Sequence, residues 1–450
     1  MGLAVLVLYC LLVFSFSAKA IFRKDRLNRG TGGETSCDTR AIFFVNARSG
    51  SALDVALSIV VSCIGASATI GMIGLAFKIG TPAFWWLGSG CFGLTLLSLM
   101  LARKVRDSGA YTMPQLVETY LGRKAGPLIA ALIVTAWMAI LAAQFVALAG
   151  VLRVLTGLSA SFCLAISFGL VVFHTLGGQA AIMRVDRLQA VILLAILVLF
   201  LLWLSAQNPG WAAEVNIELI NQDFPVEKLI YFFLIVGGNY LICPMLFGRF
   251  LSAENGRQAK LGGLIAVGGL ALGAVIIISV GLTCRGLVSS ATPGDQVLSA
   301  ALSLAPGWIN VLMSLALVSA IVSSADSCLL TAATVLTHDL LKTDGPATGR
   351  RCILSLGLVG LGLSLWDKEI LDYLLMAYDV YVCGVVVPVF IGMVMGVNKI
   401  SPGHARDAVV AGGLLGAASA LSGLNLFSYA GMLISMIICL LGTQPHPFSR

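Results

Sequence analysis

Ser319 to Leu341 reads SAIVSSADSCLLTAATVLTHDLL, which puts hydroxyls and a carboxylate into an otherwise hydrocarbon stretch. Taken as a helix, Ala320, Ser323, Ser324 and Ser327 stand at i, i+3, i+4 and i+7 and share one face. Thr331, Thr334 and His338 extend the stripe to about 27 Å at 1.5 Å per residue, and Asp326 lies about 60° from Ser323, on its flank. Hydroxyl oxygens are hard, neutral ligands suited to a hard cation, where His and Cys suit zinc or copper. Such oxygens compensate a small monovalent ion without trapping it. The structural alternative is that each hydroxyl returns to the carbonyl four residues back or joins neighbouring helices.

Two further carboxylates sit in apolar company, Asp186 in GGQAAIMRVDRLQAVI and Asp379 in AYDVYVCGVVVP. An ionised Asp at the bilayer centre costs about 2.5 to 3.5 kcal/mol, so each needs a partner or a proton. Arg184 and Arg187 flank Asp186, leaving a salt bridge at the membrane boundary as an alternative to a functional role. His174, His338, His404 and His446 are scattered, with no HExxH or paired CxxC, which weighs against a polytopic membrane enzyme, since that would need a convergent metal or acid–base cluster. The cysteines fall mostly within apolar stretches and read as inert buried thiols.

The elements that must position these residues are transmembrane helices. Of 450 residues, 58% are hydrophobic and 11% charged, with mean hydropathy +0.97, against roughly 25% charged in soluble domains. Barrel-type segments of about 10 alternating residues do not occur. The pattern predicts an all-α membrane protein of about thirteen spans, near 3–20, 51–77, 84–102, 127–152, 160–176, 186–205, 229–248, 260–283, 307–337, 351–366, 370–396, 407–423 and 427–441, with no soluble domain. Residues 1–20 lack the basic n-region of a signal peptide and read as an uncleaved span. With the N-terminus outside and the C-terminus cytoplasmic, all but five of the 28 basic residues, Arg249 among them, fall on the inner side. The exceptions are Lys78, Arg153, Lys228, Arg285 and Lys368. The net charge of +7 is thus an orientation signal rather than a nucleic-acid footprint.

Two spans carry helix-breaking runs, Gly65-Ala66-Ser67-Ala68-Thr69 with Gly71 and Gly74, and Gly237-Gly238-Asn239-Tyr240 with Pro244. They are five spans apart, so equivalent helices of two five-helix halves run in opposite directions. That is the layout of an inverted repeat with a binding site at its middle. The alternative is that glycine here serves close helix packing.

The sequence resembles the sodium:solute symporter family, the carriers of sugars, proline, pantothenate and sialic acid. The resemblance spans about 41 to 440 and rests most on GGQAAIMRVDRLQ (177–189), YLICPMLFGRFLSAENGRQAK (240–260) and AIVSSADSCLLTAATVLTHDL (320–340), with FFVNARSG (43–50) and SGAYTMPQLVETYLG (108–122) alongside. It implies a five-plus-five inverted-repeat core with discontinuous first and sixth core helices, here residues 51–396. One extra helix and a cytoplasmic loop (1–50) would precede it, and two accessory helices and a tail (397–450) would follow. It also implies a sodium site built from the carbonyls of Val61, Ile64 and Ala320 and the hydroxyls of Ser323 and Ser324. A second cation or proton site falls on Asp186, Asp326 and Ser327. Val236 and Cys243 stand where tryptophan and glutamine are expected in some members, which lowers the weight of proline and sugars as solutes.

The expected function is sodium-coupled import of a small polar organic solute, such as an amino acid, amine, sugar or carboxylate, by alternating access. The solute would sit near Cys63, Asn239, Tyr240 and Asp379, and the ion would leave along Thr331 and Thr334. Asn239 and Tyr240 could equally be packing residues, and Asp379 a vestibule carboxylate. Sodium is the co-transported ion, with no organic cofactor. The expected partners are the solute and the lipid bilayer of the plasma (inner) membrane, with no nucleic acid and a monomer as the working unit. The competing reading is a solute-binding membrane sensor with this fold and no net transport.

Overall fold

The computed structural model describes residues 35–213, 215–366 and 369–443. The span expected near 3–20 lies outside them, with most of the proposed N-terminal segment. The described residues form helices joined by short loops, with only two isolated β-bridges. In chain order these are α1 (Thr35–Val45), α2 (Ala52–Cys63), α3 (Ser67–Ile79), α4 (Thr81–Asp107), α5 (Met113–Leu121), α6 (Gly126–Thr156), α7 (Ala160–Thr175) and α8 (Gln179–Gln207). Then follow α9 (Val226–Leu251), α10 (Gly256–Cys284), α11 (Val297–Leu304), α12 (Gly307–Leu340), α13 (Pro346–Leu363), α14 (Ile370–Met395), α15 (Pro402–Ser422) and α16 (Asn425–Leu441).

Seven of these helices are long and apolar enough to cross a bilayer, and the bent pair α2 and α3 makes an eighth. Helices α7, α13, α15 and α16 occupy predicted span positions but are shorter or less apolar. The most deeply buried of the long helices is α12, which accounts for its polar stripe: hydroxyls that would be costly against lipid are turned into protein.

The first break falls where glycine placement predicts. Helix α2 starts on a capping box between Ser51 and Asp54, ends at Cys63 and resumes at Ser67 after a 60° bend. The freed groups find partners in the interior: Gln144 Oε1 of α6 accepts from Ala66 N (3.1 Å), and Thr69 Oγ1 donates to Gly65 O (2.8 Å). The second break falls at the proline end of its predicted run. Gly237 to Tyr240 remain helical, and α9 is interrupted at Ile242 and Cys243, of which Cys243 is extended and Ile242 is neither helical nor extended. Pro244 explains its position, because it lacks an N–H and forces the residue before it out of the helical region. The glycine at 237 serves packing instead, since a Cβ there would lie 3.0 Å from Ser89 O of α4.

Candidate functional site

The broken helix and the polar stripe meet. The last carbonyls of α2 lose their intrahelical partners where the helix stops. Val60 O keeps the last i+4 bond, from Ile64 N (2.9 Å), whereas Ser62 O accepts from Ser324 Oγ across the interface with α12 (2.7 Å). A Cβ on Gly65 would lie 2.6 Å from Ser324 Cβ, so this approach requires glycine. Val61, Ile64, Ala320, Ser323 and Ser324 are all buried here, the first two at the break and the others on the facing helix.

Directly beside them is a charged cluster. Asp186 of α8 is fully buried and accepts hydrogen bonds from Ser58 and from Ser323 (2.6 Å). Its ionic partner is Arg249 of α9, with Nη2 at 3.2 Å. The same nitrogen donates to Ser62 (3.0 Å) and to Ser327. The flanking arginines do not pair with Asp186: Arg184 and Arg187 are exposed, and Arg187 bonds Asp54 (2.7 Å). Arg249 also departs from its predicted place among the inner loop charges, being 1% exposed inside the protein. Its signal in the sequence is an arginine enclosed by apolar residues in LFGRFL. A buried carboxylate needs such a cation near it.

Asp326 is turned the other way. It accepts from Thr175 Oγ1 (2.9 Å) and pairs with His174, both on α7. Of Asp186, Asp326 and Ser327, the first and last therefore meet at Arg249, and Asp326 is held by α7. Sequence reasoning treated His174 as one of several scattered histidines, because only the fold brings α7 against α12.

A cavity of about 50 Å³ adjoins Ser324. Cys63, Trp86, Trp137, Asn239, Tyr240 and Tyr378 are part of its wall, which among the described residues includes no acidic or basic side chain. Asn239 Oδ1 and Trp137 Nε1 are buried there without a hydrogen-bond partner. Asp379 is not among the residues lining this cavity. Successive helical residues point about 100° apart, so with Tyr378 facing the cavity, Asp379 turns toward Tyr231, Ser419 and Ser428. Thr331 and Thr334 line a second space of about 30 Å³ further along α12. Thr334 donates to Leu330 O (2.7 Å), and Ser327 to Ser323 O (2.8 Å), so these hydroxyls also return to their own helix.

A family model described as the sodium:solute symporter family matches residues 43–346. No protein of curated function matches the sequence closely enough to count as a relative. Among solved structures, the fold is similar to a Na+-coupled sialic acid symporter in a substrate-bound outward-open state. That likeness has TM-score 0.79 and 13% identity, over 98% of this chain and 97% of the other. It is also similar to a nucleobase-cation-symport-1 family transporter in a closed conformation with bromovinylhydantoin bound, with TM-score 0.61 and 16% identity, over 88% and 93% of the two chains.

Proposed function

We propose, since this chain belongs to the sodium:solute symporter family, that it imports a small polar organic solute by alternating access, with sodium bridging the α2 break and α12. The observation that carries this reading is the contact of Ser324 with the unwound end of α2, at 2.7 Å from Ser62 O. A hydroxyl that donates one hydrogen keeps lone pairs for a cation. An ion held between the break and α12 binds one conformation better than another, which is the condition for shifting an equilibrium. Val61, Ile64, Ala320, Ser323 and Ser324 are the proposed ligands. Asp186 and Ser327 form a second cation position, held in this conformation by the guanidinium of Arg249.

The solute occupies the cavity beside Ser324. With no ionised side chain in the described wall, a solute that is neutral or zwitterionic fits better than a simple amine. It offers a donor to Asn239 Oδ1 and an acceptor to Trp137 Nε1, the two groups left unpaired. Residues 51–396 form the ten-helix core, α15 and α16 are accessory, and the C-terminus is cytoplasmic.

The experiment is counterflow of labelled amino acids, sugars and carboxylates in proteoliposomes, with and without sodium. Ser323→Ala with Ser324→Ala is expected to abolish sodium stimulation, and Asn239→Ala to weaken solute affinity while leaving sodium stimulation intact. Uptake by the double variant that keeps its sodium dependence removes the site assignment. Solute binding with no counterflow in the wild type favours the sensor.

A further inference from the structure

Asp379 of α14 takes no part in the sodium and solute sites described above, yet it is buried at 5% exposure. Three hydroxyls from three other helices converge on it. Tyr231 of α9 donates to Oδ1 at 2.8 Å and Ser428 of α16 donates to Oδ1 at 2.7 Å, while Ser419 of α15 lies 3.3 Å from Oδ2. The nearest titratable groups are Tyr231, Cys383 and Tyr429. Among the described residues, no charged side chain of the neighbouring helices forms an ion pair with Asp379, and Glu227 lies beside Tyr429. Lys228 of α9 bonds Asp223 O, Arg406 and Asp407 of α15 pair with each other, and Glu227, Asp372 and the exposed Arg153 of α6 stand toward helix ends. No Lys, Arg or His among the described residues pairs with Asp379.

The hydrogens admit a neutral carboxyl. Oδ1 accepts twice, as a carbonyl oxygen can in either protonation state. Ser419 Oγ has a single hydrogen and stands between two acceptors, Asp379 Oδ2 and Leu424 O at 3.1 Å. If that hydrogen goes to the backbone carbonyl, which can only accept, Oδ2 must carry a hydrogen of its own to bond Ser419. A buried carboxyl with no cation beside it neutralises rather than remain charged.

We propose that Asp379 is a proton-binding site, neutral in this conformation, whose bound proton pins α9 and α14 to the accessory helices α15 and α16. The relay runs from Asp379 Oδ2–H to Ser419 Oγ, and from Ser419 O–H to Leu424 O. Because α9 and α14 also carry Asn239, Tyr240 and Tyr378 of the cavity wall, loss of this proton loosens the wall from its outer support. The site is independent of the sodium reading and stands or falls separately from it.

The test is thermal unfolding of purified protein in detergent from about pH 5 to about pH 8, wild type against Asp379→Asn, with and without sodium. A proton kept in the fold and released on unfolding makes the wild-type folding constant fall about tenfold per pH unit relative to the variant, until the folded site itself ionises. The melting temperature of Asp379→Asn is therefore expected to gain on wild type as pH rises. A difference that is flat with pH, or that moves in favour of wild type, means an ionised carboxylate and overturns the proposal. Sodium-dependent stabilisation that vanishes in Asp379→Asn overturns it in favour of a metal cation. Where the Asn variant does not fold, infrared spectra replace it. A protonated-carboxyl band in wild type that shifts in Ser419→Ala supports the relay, and an unshifted spectrum refutes it.

Discussion

Arg249 and Asp186 set the electrostatics of the interior. Each is almost completely buried, and each is tolerable there because the other, together with Ser58, Ser62, Ser323 and Ser327, supplies charge and hydrogen bonds. Breaking such a pair by removing one member leaves an uncompensated charge and costs about 3 to 5 kcal/mol, whereas removing both charges costs far less. Arg249→Met is thus expected to lower unfolding stability by about that amount in a denaturant titration. Adding Asp186→Asn to it should restore most of the loss. Equal stability of Arg249→Met and wild type would show that the pair does not hold the interior together. Asp186 was recognisable from its own sequence context, but its partner was not, since the two lie 63 positions apart on different helices.

At the scale of the elements, the bend between α2 and α3 depends on Gly65. Its lack of a side chain lets α12 come close enough for Ser324 to reach Ser62 O. Overpacking of this kind costs roughly 1 to 3 kcal/mol. Gly65→Ala is expected to push α12 away from the break, lowering both the basal melting temperature and the rise on adding sodium. A variant with an undiminished sodium-dependent rise would place the ion elsewhere. The glycine run announced this break because glycine is costly inside a helix. For α9 the predicted run held both glycines and Pro244, and it is the restriction of Pro244 on Cys243, not the glycines at 237 and 238, that fixes where the helix breaks.

At the scale of the whole molecule, the distribution of lysine and arginine predicts which loops face which side. Nine of the eleven cysteines are buried and unpaired, so a labelling test starts from a chain with Cys10 and Cys37 replaced by serine. In intact cells, a membrane-impermeant maleimide is expected to modify Lys228→Cys, and to reach Arg257→Cys only after permeabilisation; both native side chains are exposed. The reverse pattern would invert the proposed orientation. Placing Arg249 in the interior removes one residue from the inner basic count without altering its bias.

Helical class, membrane location, the first break and the serine pair all follow from local pattern: hydropathy over about 20 residues, glycine placement and the 3.6-residue period that puts Ser323 and Ser324 on one face. These are properties of neighbours along the chain, so the sequence alone determines them. Which cation neutralises Asp186, why Asp326 belongs to His174 and Thr175, and why Asp379 turns from the cavity toward three hydroxyls were decided by tertiary structure. Each depends on which helices become neighbours and on their rotation about their axes, and a turn of about 100° per residue is enough to move a side chain from one environment to another.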